Sequence, residues 1–319
     1  MDNKLLNSGS SFLSCRKFKG IGFGMISTII WGTFYPISRA LFGFDDGDVD
    51  ALNFSVLRFS LAAIFLSFVF FRNENRRQAA DMLRNHWKIV LLLSVVGIVG
   101  EGVLVFWALQ YTTSARASLM ANTSPIQTVL ISYLAGKEIL TKNKLTGAIL
   151  GLAGLVLFFA GNGQDMFTAD ASTIIGDVMA LASGFCWSVY TVYGDEIAKH
   201  YGDVLCSEIL FLAGLCVMIP MAFVKNGGIA LVLPWRVWLG AFYLGVVSYG
   251  IANCLWYRAL KFVTPGELGS LGYISATLSI VLSVILLKER LSATMLAAIV
   301  LVVLGVALML RKNRQQADK

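Results

Sequence analysis

The chain has 319 residues, of which 57% are hydrophobic and 14% charged, with a formal net charge of +7 and a mean hydropathy of +0.72. A soluble domain carries about a quarter charged residues, so this balance excludes an ordinary soluble fold and marks a polytopic membrane protein. The positive charge sits in alternate loops, where it orients the chain in a membrane and does not point to nucleic acid.

A polar tail, 1–19, precedes an apolar run too long for a signal-peptide core. The run reads as a spanning helix and the tail as a cytoplasmic flank, with no cleavable signal. A span needs about 20 mostly apolar residues. Ten segments qualify: 20–42, 51–71, 88–111, 114–135, 143–161, 172–193, 204–224, 235–260, 265–287 and 292–311. With the N-terminus inside, 18 of the 26 Lys and Arg fall in inside segments and 4 outside, the rest lying within helices. This split predicts both termini in the cytoplasm, in a plasma or bacterial inner membrane.

The chain repeats itself. Ala108-Leu109-Gln110-Tyr111 matches Ala259-Leu260-Lys261-Phe262 at an offset of 151 residues, and Thr113, Ser124, Lys137-Glu138 and Gly154 match Thr264, Ser275, Lys288-Glu289 and Gly305. Gly20, Ser27 and Trp31 match Gly176, Ser183 and Trp187 at an offset of 156. So long a period is a duplicated half-fold and not a solenoid. The predicted fold is an all-α membrane protein of ten transmembrane helices, built as a first five-helix repeat over 20–161 and a second over 172–311, with a tail at 312–319. Five is odd, so the second copy is expected upside down. Inverted repeats with a midplane site are a common plan among secondary transporters.

Other chemistries find little support. Cys186, Cys206, Cys216 and Cys254 lie in apolar runs and Cys15 in the tail, none at zinc-ligand spacing. His86 and His200, the chain's two histidines, fall in loops, so no catalytic or metal centre is expected in the membrane. No nucleotide-binding motif appears. We therefore expect no enzyme and no cofactor.

Polar groups in lipid are costly and usually face the bundle interior. In the first segment Ser27, Trp31 and Tyr35 share one helix face, with Pro36 as a kink. Ser183, Trp187 and Tyr190 repeat that stripe, and Tyr249, Asn253 and Trp256 or Tyr257 make a third. Such faces suit a cavity that stacks on a ring or cups an ammonium group; packing and interfacial belts are the competing readings. Glu101, in the middle of the third segment, is a candidate for proton coupling or for a substrate amine, or for an ion pair with Arg58. Arg58 in turn anchors a carboxylate or snorkels.

The fourth segment carries Asn122, Thr123, Ser124, Gln127 and Thr128 around Pro125, which frees a carbonyl. The ninth answers with Tyr273, Ser275 and Thr277. Asn122, Gln127 and Tyr273 are the ligand candidates there, with helix–helix hydrogen bonding as the alternative. Asp177 and Glu208 read as dipole partners at helix starts near the cytoplasmic face. Glu267 follows Pro265 at another start, and Arg116, near the outer end of the fourth segment, reads as a solvated helix end, with a gate pair as the alternative. Gly147 and Gly151 have the spacing of a close helix contact, within a monomer or in a homodimer.

Trp31-Gly32 with Pro36, Leu57-Arg58-Phe59, Ser124-Pro125, the Gly136-Lys137-Glu138 turn and the glycines at 147–154 together resemble EamA-type members of the drug/metabolite transporter superfamily. Trp187, the Leu287-Lys288-Glu289-Arg290 turn and Gly305 carry the resemblance through the second copy. It implies a central cavity lined by the first, third, fourth, sixth, eighth and ninth helices, and export or exchange of small metabolites, often amino acids. Its alternatives are multidrug efflux and a non-transporting scaffold or sensor. The expected partners are a small-molecule substrate and membrane lipid.

Overall fold

The computed structural model describes residues 2–34, 37, 50–108, 110–112, 114–161, 170–286 and 293–311, with no strand among the described residues. Tyr35, Pro36, Thr113 and the 287–290 turn lie outside them. Among the described residues, five helical runs are long and apolar enough to cross a membrane: Leu52–Phe71, Trp87–Val105, Ala171–Tyr201, Asp203–Asn226 and Trp235–Ala259. Large apolar side chains stand exposed along the helices, among them Ile64, Ile149, Val178, Val300 and Val303. Lipid tails suit such a surface and water does not. The protein is an integral, multi-pass membrane protein.

Several boundaries differ from the sequence expectation. The first helix, Asp2–Gly32, runs through the polar tail, which holds no proline to stop it. Between the second and third segments lies an amphipathic helix, Asn73–Asn85, with Ala79 and Met82 buried and Arg76, Arg77 and Arg84 outward. Its mean polarity hides it from a search for long apolar runs. The fourth segment is two helices, Ser114–Ala121 and Ser124–Leu134, because Pro125 has no N–H to continue the ladder. The ninth breaks similarly into Pro265–Ser270 and Gly272–Leu286.

The third segment contains a π-helix at Leu93–Gly100, directly before Glu101, and the eighth contains another at Tyr243–Ile251. Shifting the first by the repeat offset of 151 gives 244–251, so the two are matched features. π-Helix is well under ~1% of residues and concentrates at functional sites. It widens the turn, so it re-aims the side chains that follow.

The halves exchange their first helices. Helix 171–201 packs on the 93–108 run and on 114–134, while helix 2–32 packs on 252–259 and 272–286. The contacts match in detail. A methyl at Gly20 would strike Phe262, Val263 and the Ala259 carbonyl; one at Gly176 would strike Thr112 and the Ala108 carbonyl. Ala108 and Ala259 are matched residues, as are Thr112 and Val263. Helix 51–66 packs on helix 203–226, and helix 142–161 forms with 293–310 the most extensive helix pair. There the Gly147 and Gly305 backbones touch. The glycine face at Gly147 and Gly151 is thus covered within the chain.

Candidate functional site

Helices 2–32, 171–201 and 252–259 bring three tryptophans together. Trp31 meets Trp187 edge to face at 5.0 Å between centroids and lies 5.0 Å from Trp256, while Trp187 and Trp256 are 5.6 Å apart. Edge-to-face and tilted pairs match the ring quadrupoles, which fixes the trio without a covalent tie. The polar tips of Trp31 and Trp256 are satisfied. Trp31 Nε1 donates to the Ser248 carbonyl at 2.7 Å, inside the second π-helix, and Trp256 Nε1 donates to Thr191 Oγ1 at 3.2 Å. Tyr190 stacks on Trp187 and accepts from Asn253 Nδ2 at 2.9 Å, which also donates to Ser207 Oγ at 3.1 Å. Trp31 and Trp187 keep accessible surface, whereas Tyr190, Asn253 and Trp256 are buried behind them.

Glu101 adjoins this trio through chain neighbours: Gly100 packs on Cys186, the residue before Trp187, and Tyr249 follows Ser248, which holds Trp31. Its Oε2 accepts from Tyr249 Oη at 3.4 Å, and the Arg58 guanidinium is close enough to act on it through space. Glu101 is half-buried. Arg58 is buried, 4.5 Å over the Tyr249 ring and 5.0 Å over Phe59. It is no snorkelling end. Of the matched pair, only the first copy places a carboxylate after its π-helix, since the second has Ala252. The result is one carboxyl group, one guanidinium and a set of ring faces where residues of both sequence copies meet.

The fourth-segment candidates sit elsewhere on helix 171–201. Gln127 Nε2 donates to Thr123 Oγ1 at 2.8 Å and reaches the Leu181 carbonyl at 3.5 Å. Asn122 and Gln127 are half-buried. The Ala121 carbonyl, which Pro125 leaves without its helical donor, rests against Gly184. Ser188 ties this region down, donating to the Ser124 carbonyl at 3.0 Å. Tyr273 is not brought to the tryptophans. Its hydroxyl donates to the Ala148 carbonyl at 2.9 Å and its ring covers Gly151, so it packs helix 142–161.

Three charged residues depart from expectation. Arg116 is buried and ion-paired with Asp177, to which Thr112 Oγ1 also donates at 2.8 Å. The pair lies at the end of helix 114–134 opposite Lys137, so Asp177 belongs to the face that the charge pattern reads as outer. The N-cap of its helix is Asp170. Glu208 is not in the first turn of its helix either; Asp203 is, and it holds Arg258 and Lys261 at 2.7 and 2.9 Å. Glu267 does cap its helix with Thr264, and also binds Lys17 Nζ at 2.5 Å.

Sequence reasoning missed a network at the Lys137 end. Lys137 Nζ donates to the Val192 carbonyl at 2.8 Å and pairs with Glu196 at 3.2 Å. Glu138 accepts from Lys144 and from the Gly266 amide. A cleft of about 260 Å³ opens beside it, lined by Lys137, Lys199, Lys261, Asp195 and Glu267. The repeated Lys-Glu turn was the signal, but the turn alone does not name its partners.

Comparison with known proteins now carries weight. The EamA-like transporter family matches residues 18–160 and 174–311, which is nearly the whole chain. The chain belongs to that family. An uncharacterized transporter of Archaeoglobus fulgidus is 28% identical over 237 residues, 74% of this chain and 78% of that relative. The aromatic amino acid exporter YddG of Ancylobacter novellus is 29% identical over 230 residues, 71% of this chain and 77% of its own length. A solved crystal structure shares the fold with a TM-score of 0.71 at 22% identity, covering 91% of this chain and 95% of that one. This EamA-family protein is a membrane transporter homologue, and its setting implies a small-molecule substrate and a lipid environment.

Proposed function

We propose that this EamA-family protein is a secondary-active carrier that exports or exchanges small metabolites, with aromatic amino acids as its substrate class. The observation that carries the reading is the Trp31–Trp187–Trp256 trio, joined through Cys186 and Ser248 to the group of Glu101, Arg58 and Tyr249. Ring faces accept a substrate ring by stacking and an ammonium group by its charge. Glu101 takes the ammonium and Arg58 the carboxylate, the bidentate geometry that a guanidinium favours. The name of the YddG relative supports the same class.

Ten spans in two inverted five-helix repeats support alternating access. The matched contacts at Gly20 and Gly176 and the matched π-helices argue for that architecture. Two halves of similar packing make the two access states close in energy. The basic Lys137 end is then cytoplasmic, and so are both termini. Counterflow in proteoliposomes tests the reading. Vesicles loaded with mixed amino acids take up labelled phenylalanine or tryptophan faster than labelled alanine or lysine. Uptake of none of them, with uptake of aromatic cations in their place, would move the protein to multidrug efflux.

A further inference from the structure

Glu208 is the buried carboxylate that the site above leaves unused. It is 1% exposed on helix 203–226, and its Oε2 has no hydrogen-bond partner among the described residues. Glu101, by contrast, faces Arg58 and Tyr249. A charged carboxylate within a membrane span needs a counter-charge or dipoles in place of its hydration.

The groups around Glu208 supply none. Its own helix brings Cys206 and, about 7.5 Å nearer the basic end, Asp203, whose charge is matched by Arg258 and Lys261. Helix 252–259 brings the Cys254 thiol, which feels Glu208, and Arg258, which is committed to Asp203. Helix 51–66 offers one cation, Arg58, held over Tyr249. The π-helix 93–100 has no titratable residue. Helix 171–201 sends Tyr190, bound to Asn253. The charges of 73–88 are all exposed.

Its position is as informative as its isolation. One turn further along the helix, Phe211 packs on Phe59 at 5.4 Å and on Tyr249 at 6.4 Å, and Tyr249 reaches Glu101. Glu208 therefore lies between the Asp203 ion cluster at the basic end and the aromatic floor of the Glu101 site.

We infer that Glu208 is a proton-binding site of the carrier, separate from Glu101. One proton from water forms one O–H bond on the carboxylate, and its release returns the proton to water. Nothing is oxidised or reduced. The neutral acid needs no counter-charge, which accounts for a glutamate buried without one. The use of that proton in transport rests on the carrier reading; its presence does not.

Infrared spectroscopy of the full chain in proteoliposomes decides the matter. The wild type shows a carboxylic-acid C=O band at neutral pH that shifts in D₂O and fades as pH rises. Glu208→Gln loses that band, Glu208→Asp keeps one, and Glu101→Gln retains it. Size-exclusion profiles confirm that the variants fold. A difference spectrum between wild type and Glu208→Gln with no such band, or a band that never exchanges in D₂O, overturns the inference. Counterflow of labelled phenylalanine is run on the same vesicles. Its absence in the wild type removes the amino-acid reading and leaves the infrared result on Glu208 standing.

Discussion

Trp31 and Trp187 hold matched positions in the two repeats and meet edge to face, 5.0 Å between ring centroids. Each comes from the first helix of its half. In the carrier proposed above, a rocking of one half against the other would move this contact. Trp31→Ala or Trp187→Ala should raise the half-saturation for an aromatic amino acid roughly fivefold, the equivalent of about 1 kcal/mol of ring contact. Trp→Phe should recover part of it. Concentration-dependent uptake reads this directly; an unchanged half-saturation in both alanine variants assigns the trio to packing alone.

Arg58 is buried over the Tyr249 ring and acts on Glu101. Arg58→Ala should weaken substrates that carry a carboxylate more than their cationic amides, by tenfold or more if a charge-assisted bond of about 1.5–3 kcal/mol is lost. Competition of labelled phenylalanine by phenylalanine and by phenylalaninamide checks this. Equal losses for the two competitors would mean that Arg58 only supports the fold.

The Arg116–Asp177 pair joins the start of the fourth segment to the first helix of the other half. Removing one member leaves the other charge buried, a loss of about 3–5 kcal/mol. Asp177→Asn should therefore lower the thermal midpoint in detergent by several degrees, and adding Arg116→Gln should restore part of it. Strictly additive losses in that cycle would show that the two side chains are not coupled.

Gly147 and Gly305 let helices 142–161 and 293–310 touch backbone to backbone. A Cβ at either meets main chain, which cannot move aside. Gly147→Leu or Gly305→Leu should sharply reduce the folded fraction, and Gly22→Ala, where a Cβ meets nothing, should not. Fluorescence-detected size exclusion separates the two results.

Asp50 caps helix 51–66 through the Leu52 and Asn53 amides and binds Lys225 at 2.7 Å. Partial burial alone would raise its pKa, but the bonds from Lys225, Asn226 and Asn53 hold it below the usual carboxylate range. A depressed folded value means the contribution is fully present above the unfolded value of about 3.9 and is lost as pH falls through the lower folded one. Asp50→Asn should thus destabilise the protein at pH 7 and narrow its difference from wild type in strong acid. A difference that stays constant with pH would show that the charge of the Asp50 carboxylate does not contribute to stability.

Composition and repetition decided the class of this protein. Apolar runs longer than a bilayer crossing, an 18-to-4 division of basic residues and a 151-residue self-match can be read without coordinates, because each is a property of local order along the chain. The helix start at Pro265 and Glu267 was equally legible, since both residues favour the first turn of a helix. What the tertiary structure decided is which polar groups meet. Nothing local says that Arg116 finds Asp177, that Tyr273 serves helix 142–161, or that Glu208 Oε2 finds no partner among the described residues while Glu101 faces Arg58. The π-helices escaped notice because both segments read as plain apolar helix. In a membrane every span must be apolar, so hydropathy locates helices well, yet it is nearly blind to their facing; that depends on close packing between residues far apart in the chain.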